Sequence, residues 1–63
     1  MNSTLAERMI LYRAKERISQ RELARRAGVS TQTINSVENG TQEPSKTTRA
    51  KIELVLEGNG KDV

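Results

Sequence analysis

Residues 18–40 read ISQRELARRAGVSTQTINSVENG, the central third of the chain. From Ala27 to Val37 it contains no Lys, Arg, Asp or Glu, although charged residues are dense on both sides. The neutral segment is rich in Ser, Thr, Asn and Gln, most of which are weak helix formers. A polar but uncharged segment at the centre of a basic protein therefore needs an explanation other than solubility.

The first half of this stretch is predicted to form a helix that begins after Ser19 and ends at Gly28. Ser19 and Glu22 have the capping-box spacing, in which each side chain bonds to the backbone N–H of the other residue. Glycine tolerates the left-handed conformation that follows many helices, so Gly28 is a natural stop. The inward face would hold Leu23, Ala24 and Ala27.

The neutral segment is predicted to form the next helix, capped by Ser30 and stopped by Asn39 and Gly40. At about 100° per residue, this helix has two different sides. One side carries Ile34, Val37 and Glu38, whereas Gln32 and Ser36 point the opposite way with Asn35 beside them.

Two further helices flank this pair. Ser3 or Thr4 can cap a first helix that ends near Arg17, with a buried stripe of Leu5, Met9 and Tyr12. Ser45 can cap a last helix that ends at Gly58, with Ile52, Val55 and Leu56 as its apolar set. Since no segment alternates apolar and polar residues as a strand does, we predict an all-α bundle of four short helices, or five. Residues 1–58 would form the domain, and residues 59–63 a flexible tail or the start of a linker.

Composition excludes several classes of protein. The 63 residues include no Cys and no His, which removes disulfides, thiolate or imidazole metal sites and the commonest acid–base groups. We therefore expect neither an enzyme nor a metal or cofactor site, and in the absence of a membrane-spanning or signal segment we expect a cytoplasmic protein.

The net charge is +3, and seven basic residues but only two acids lie between Arg8 and Arg26. Charge alone leaves two interpretations open, a phosphate-binding surface or a solvated helix surface.

Two short helices joined by a tight turn that begins with Gly define a helix-turn-helix. The second helix of this motif must anchor one face in the core and offer hydrogen-bonding groups to base edges in the major groove. The segment TQTINS (residues 31–36) fits this requirement, because its amide and hydroxyl side chains can form hydrogen bonds with base edges. A carboxylate in their place would be repelled by the phosphates, and a lysine would bind phosphates with little dependence on sequence. The alternative is that it is merely an exposed polar helix face.

The chain resembles the Cro/C1-type (XRE) helix-turn-helix domain of phage repressors and bacterial regulators, a lambda-repressor-like fold. The resemblance runs from about Leu5 to Leu56. It rests on the following elements in order: Gln20-x-x-Leu23-Ala24, Ala27-Gly28-Val29-Ser30, Ile34, Glu38-Asn39-Gly40 and Pro44-Ser45. It implies a bacterial or phage-encoded transcriptional regulator, most simply a repressor that binds a palindromic operator in double-stranded DNA as a homodimer.

The resemblance also implies roles for individual residues. Base contacts fall to Thr31, Gln32, Asn35 and Ser36. Phosphate contacts fall to Gln20, Arg21, Ser30, Asn39, Ser45 and Lys46. Arg13 and Glu38 match an ion pair inside the fold of some family repressors, although a phosphate contact by Arg13 is the alternative.

Some features depart from the family pattern. Arg17 occupies a position that is often Gly, so either the first helix ends differently or Arg17 adopts a left-handed conformation at some cost. Arg49 and Glu53 replace usually apolar residues at a spacing that allows them to pair.

The apolar residues Ile10, Leu11 and Leu54 exceed what a small core needs, and they are either isolated exposed residues or a self-association patch. The same patch would serve a second hypothesis, a protein-interaction module (antitoxin-like or anti-repressor) in which DNA binding is secondary.

Overall fold

The computed structural model describes residues 4–58, and within them it contains four helices and no strand. They are α1 (Leu5–Glu16), α2 (Gln20–Ala27), α3 (Thr31–Asn39) and α4 (Lys46–Leu56). The predicted all-α fold is confirmed. Ser3 and the predicted tail, residues 59–63, lie outside the described residues.

Each helix begins at a side-chain cap. Thr4, Ser19, Ser30 and Ser45 adopt extended backbone conformations, and each hydroxyl accepts a hydrogen bond from the backbone N–H three residues later. These bonds satisfy N–H groups that have no partner within the helix. These caps, together with the packing of each helix on the core, stabilise helices as short as eight residues.

The capping box predicted at Ser19 is only half formed, whereas a complete one occurs at the start of α1. Ser19 accepts from the Glu22 N–H at 3.0 Å, but the Glu22 carboxylate accepts from Arg25 and Arg26 instead of reaching back to Ser19. At α1, Thr4 Oγ1 accepts from the Glu7 N–H at 3.1 Å and Glu7 Oε1 accepts from the Thr4 N–H at 3.2 Å.

Left-handed residues end the first three helices. Gly28 (φ 73°) and Gly40 (φ 75°) end α2 and α3 as predicted. Arg17 ends α1 at φ 59° and ψ 47°, so of the two expectations for this residue the left-handed conformation is the one observed. A residue with a Cβ pays a steric cost in this conformation.

A small core holds the four helices together. Within it, α3 packs against α1 and α2, and α4 packs against the same two helices. The buried apolar residues are Leu5, Met9, Leu23, Ala24, Ala27, Ile34, Val37 and Ile52, and Tyr12, Ile18, Val29, Val55 and Leu56 cover them partly. The predicted inward faces are therefore correct, with Tyr12, Val55 and Leu56 at the core margin.

An ion-pair cluster that the sequence only partly indicated joins α1 to α4. Arg49 pairs with Glu53 at 3.2 Å, as their spacing suggested, and Arg8 of α1 pairs with the other oxygen of Glu53 at 2.9 Å. The polar residues at these positions of α4 thus form part of a contact between helices at the domain edge.

Candidate nucleic-acid interface

The turn between α2 and α3 sets how α3 projects from the domain. After Gly28, the Val29 N–H donates to the Ala24 carbonyl at 3.0 Å and Val29 packs against the core. Ser30 then caps α3, and its hydroxyl lies 2.8 Å from the Thr33 hydroxyl. The result is a helix-turn-helix in which the amino end of α3 stands at the surface beside α2.

The two sides of α3 differ as the sequence predicted. Ile34 is completely buried and Val37 is 6% exposed, so these two residues anchor the helix. Thr31, Gln32 and Asn35 are exposed and Ser36 is half-buried. The structure therefore brings the four predicted base-contact residues together on the solvent-facing side of one helix.

Arg13 and Glu38 form a two-pronged ion pair between α1 and α3. Arg13 Nε and Nη2 each donate to a Glu38 carboxylate oxygen at 2.8 Å, and Arg13 Nη1 donates to the Ile18 carbonyl at 3.4 Å. The Glu38 side chain is only 4% exposed. Burial alone would raise the pKa of Glu38, but the hydrogen bonds from Arg13 and Gln20 outweigh it and hold the pKa below its ordinary value.

A chain of amide side chains runs outward from this ion pair. Gln20 Nε2 donates to Glu38 Oε1 at 3.0 Å and to Asn35 Oδ1 at 3.4 Å. Asn39 Nδ2 donates to the same Asn35 oxygen at 3.3 Å. This chain connects the first residue of α2 with two residues on the outer side of α3, and sequence reasoning missed it, because it depends on how the two helices cross.

Several predicted phosphate contacts already use their side-chain donors within the protein. The two hydrogens of Gln20 Nε2 are directed at Glu38 and Asn35. The Ser45 hydroxyl donates to Thr48 Oγ1 at 3.1 Å, and Ser30 is bonded to Thr33. At Gln20 and Ser45 the donors that remain for phosphate are backbone N–H groups in the first turn of each helix.

Two predicted phosphate contacts keep exposed cationic side chains. Lys46 is the first residue of α4 and is exposed. Arg21 is exposed and lines a groove of about 470 Å³ between α2 and the start of α3, together with Ser30 and Thr31. Arg25 lines the same groove and was not predicted to contribute.

Fewer of the basic residues in the first half of the chain are available for phosphate contacts than the composition suggests. Arg8, Arg13, Arg25 and Arg26 all form ion pairs with carboxylates. Arg25 and Arg26 hold the pKa of Glu22 at about 2, chiefly through hydrogen bonds to its carboxylate. Arg26 also donates to the Tyr12 hydroxyl at 3.0 Å, which ties α2 to α1. Some of these basic residues therefore stabilise the fold, whereas Arg21 lies beside the start of α3.

The three surplus apolar residues are exposed. Ile10, Leu11 and Leu54 are 44%, 64% and 53% exposed. Leu54 lines a groove of about 240 Å³ between α2 and α4, and neither Ile10 nor Leu11 lines it. A self-association role for these residues stays a prediction.

The fold and the outer side of α3 define a class of protein, the helix-turn-helix regulators that bind DNA. Residues 9–59, most of the chain, match the family model described as helix-turn-helix. The chain belongs to this Cro/C1-type (XRE) family, which is a DNA-binding family and not an enzymatic one. No curated protein and no solved structure matched the chain. No helix among residues 4–58 has the length and apolar character needed to cross a membrane.

Proposed function

We propose that this protein is a sequence-specific transcriptional repressor, encoded by a bacterium or a phage, that reads double-stranded DNA through the major groove with α3. The observation that carries the proposal is the solvent-facing side of α3. It presents hydroxyl and amide groups without a charged side chain, on a helix anchored by Ile34 and Val37. Thr31, Gln32, Asn35 and Ser36 would contact base edges.

Phosphate contacts would set the register of α3 on the duplex. Lys46 and Arg21 supply charge, and Asn39 retains a second amide hydrogen beyond the one it donates to Asn35. Gln20, Ser30 and Ser45 would contribute mainly through the backbone N–H groups at the starts of their helices, where the helix dipole also favours an anion. Such contacts position a protein without discriminating sequence.

A homodimer on a palindromic site would provide the affinity that one small module lacks. Half-sites on one face of B-DNA are separated by about one helical turn, roughly 34 Å. The domain measures 33 × 26 × 21 Å, so two copies on adjacent major grooves can touch each other. Occlusion of polymerase at such an operator is the simplest route to repression.

Selection from random duplex DNA tests the proposal. We expect a palindromic consensus, and sedimentation should show two protomers on the recovered site. Gln32→Ala should relax the preference at one base pair in each half-site, whereas Lys46→Ala should weaken binding to all sequences.

The protein-interaction hypothesis predicts a different result. The exposed Ile10, Leu11 and Leu54 favour it. If the interaction is primary, selection at moderate salt enriches no sequence, and substitutions at Leu11 or Leu54 abolish activity while Gln32→Ala leaves it intact. That outcome would overturn the DNA-reading proposal.

A further inference from the structure

In the amide chain that begins at the Arg13–Glu38 ion pair, the chemistry of the side chains determines which group donates and which group accepts each hydrogen bond. Arg13 can only donate hydrogen bonds, and the ionised Glu38 carboxylate can only accept them. The Gln20 atom 3.0 Å from Glu38 must therefore be its nitrogen, which fixes the orientation of that amide group.

The orientation of the Gln20 amide group in turn determines the orientation of the Asn35 amide group. One hydrogen of Gln20 Nε2 goes to Glu38, and the second is directed at Asn35, so the atom of Asn35 at 3.4 Å must be its oxygen. Asn39 Nδ2 donates to this oxygen as well, at 3.3 Å. An amide oxygen has two lone pairs, and both are now used.

Asn35 can consequently offer DNA only hydrogen-bond donors, because its acceptor oxygen is already used. Asn35 is exposed, and its Nδ2 group makes no hydrogen bond to any of residues 4–58. A freely rotating Asn pairs with adenine by donating to N7 and accepting from N6. Asn35 has no free acceptor for N6, and its NH₂ group would instead face that donor.

We infer that Asn35 reads its base pair as a hydrogen-bond donor and selects guanine, whose N7 and O6 are both acceptors, over adenine. The inference rests on the proposed function, since it specifies what one base-contacting side chain selects. It assigns Gln20 a positioning role: besides any phosphate contact, Gln20 determines which end of Asn35 faces the DNA.

The experiment uses the consensus recovered from random duplex DNA. Asn35→Ala first identifies the base pair that Asn35 reads, as the one whose preference is lost. Binding of the wild-type protein to duplexes with guanine or adenine at that base pair should then favour guanine, by about 5- to 150-fold if the contact is as strong as a good bidentate one.

Gln20→Met then separates the two roles of Gln20. Methionine has a similar length but no donor, so Asn35 regains a lone pair and can pair with adenine. We expect the guanine-to-adenine affinity ratio to fall several-fold at this base pair. Loss of a phosphate contact alone would weaken both duplexes equally and leave the ratio unchanged. Asn35→Asp, which removes the donor, should abolish the preference for guanine.

Gln32→Ala is the matched control, since Gln32 is exposed on the same helix and should affect a different base pair. Thermal unfolding followed by circular dichroism confirms that each variant is folded at the assay temperature. The inference is overturned if the base pair read by Asn35 prefers adenine, if Gln20→Met leaves the ratio unchanged, or if Asn35→Ala alters no base pair. A wild-type protein that selects no consensus would instead refute the proposed function, and the inference with it.

Discussion

Replacing Glu38 with Ala should destabilise the domain strongly, because it removes the more buried partner of the Arg13–Glu38 ion pair. Glu38 accepts two hydrogen bonds from Arg13 at 2.8 Å and one from Gln20 at 3.0 Å, and its side chain is 4% exposed. Removal of one partner of a buried ion pair typically costs about 3–5 kcal/mol, because the other charge stays desolvated without compensation. Since the Arg13 side chain is 24% exposed and water can partly reach it, we expect the lower end, about 3 kcal/mol.

That loss is large for a chain of this size. At about 0.05–0.15 kcal/mol per residue, a chain of 63 residues has a free energy of unfolding of roughly 3–9 kcal/mol. The melting temperature of a domain this small shifts by about 4–8 °C per kcal/mol, so Glu38→Ala should lower it by roughly 12–24 °C. Urea unfolding followed by circular dichroism at the helix band measures the difference directly.

The matched control is Glu16→Ala. Glu16 also pairs with an arginine, Arg26, but at 3.4 Å and with a side chain that is 38% exposed. Exposed pairs contribute about 0–1 kcal/mol, so this variant should be close to wild type. If Glu38→Ala costs no more than Glu16→Ala, the reasoning about burial is refuted.

The pH dependence of stability tests the ionised Glu38 carboxylate separately, with Glu38→Gln as the variant. The pKa of Glu38 is lower in the folded protein than in the unfolded chain. Its stabilising contribution is therefore fully present above the ordinary glutamate pKa of about 4.3 and is lost as the pH falls through the lower folded value. The difference in unfolding free energy between the wild type and Glu38→Gln should narrow as the pH falls below about 4.3; a difference that stays constant down to acid unfolding contradicts this.

Substitutions at four further positions test other features. Arg17→Gly should raise the free energy of unfolding by about 1 kcal/mol by relieving the left-handed conformation, and an unchanged urea midpoint would show that Arg17 makes compensating contacts. Thr4→Ala should cost about 1 kcal/mol through loss of the α1 cap, whereas Thr4→Ser, which keeps the hydroxyl, should cost much less. Lys46→Ala should weaken binding to all duplexes alike and reduce the salt slope of log K by about 0.9, and a changed consensus would argue against a phosphate contact. Gln32→Ala should cost about 1–3 kcal/mol of discrimination at one base pair while changing the free energy of unfolding by less than about 0.5 kcal/mol.

The sequence predicted the helices well because their signals are local. Each cap and each glycine stop acts within three or four residues, and spacing alone identified the buried faces. The capping box at Ser19 was wrong in part because Glu22 has arginines three and four residues later, which compete for its carboxylate. Glu7 has Ile10 and Leu11 at the corresponding positions, so its carboxylate stays available to Thr4.

Other features could not be read from the chain because they join separate helices. The Arg26 bond to Tyr12 spans α2 and α1, and the Arg8 bond to Glu53 spans α1 and α4. The bond from Gln20 to Asn35 depends on the angle between α2 and α3. A motif can indicate which residues face DNA, but the orientation of an amide group follows from its neighbours in three dimensions.

The amide chain divides the outer side of α3 into two parts that can change at different rates during evolution. Asn35 is connected through Gln20 to the Arg13–Glu38 ion pair, so a substitution there disturbs a network that joins α3 to α1 and α2. Gln32 is exposed and makes no side-chain hydrogen bond to any of residues 4–58, so its replacement can redirect the protein to a new operator at little cost to folding. New binding preferences in descendants of this protein should therefore arise first at Gln32, with Asn35 and Gln20 changing later and together.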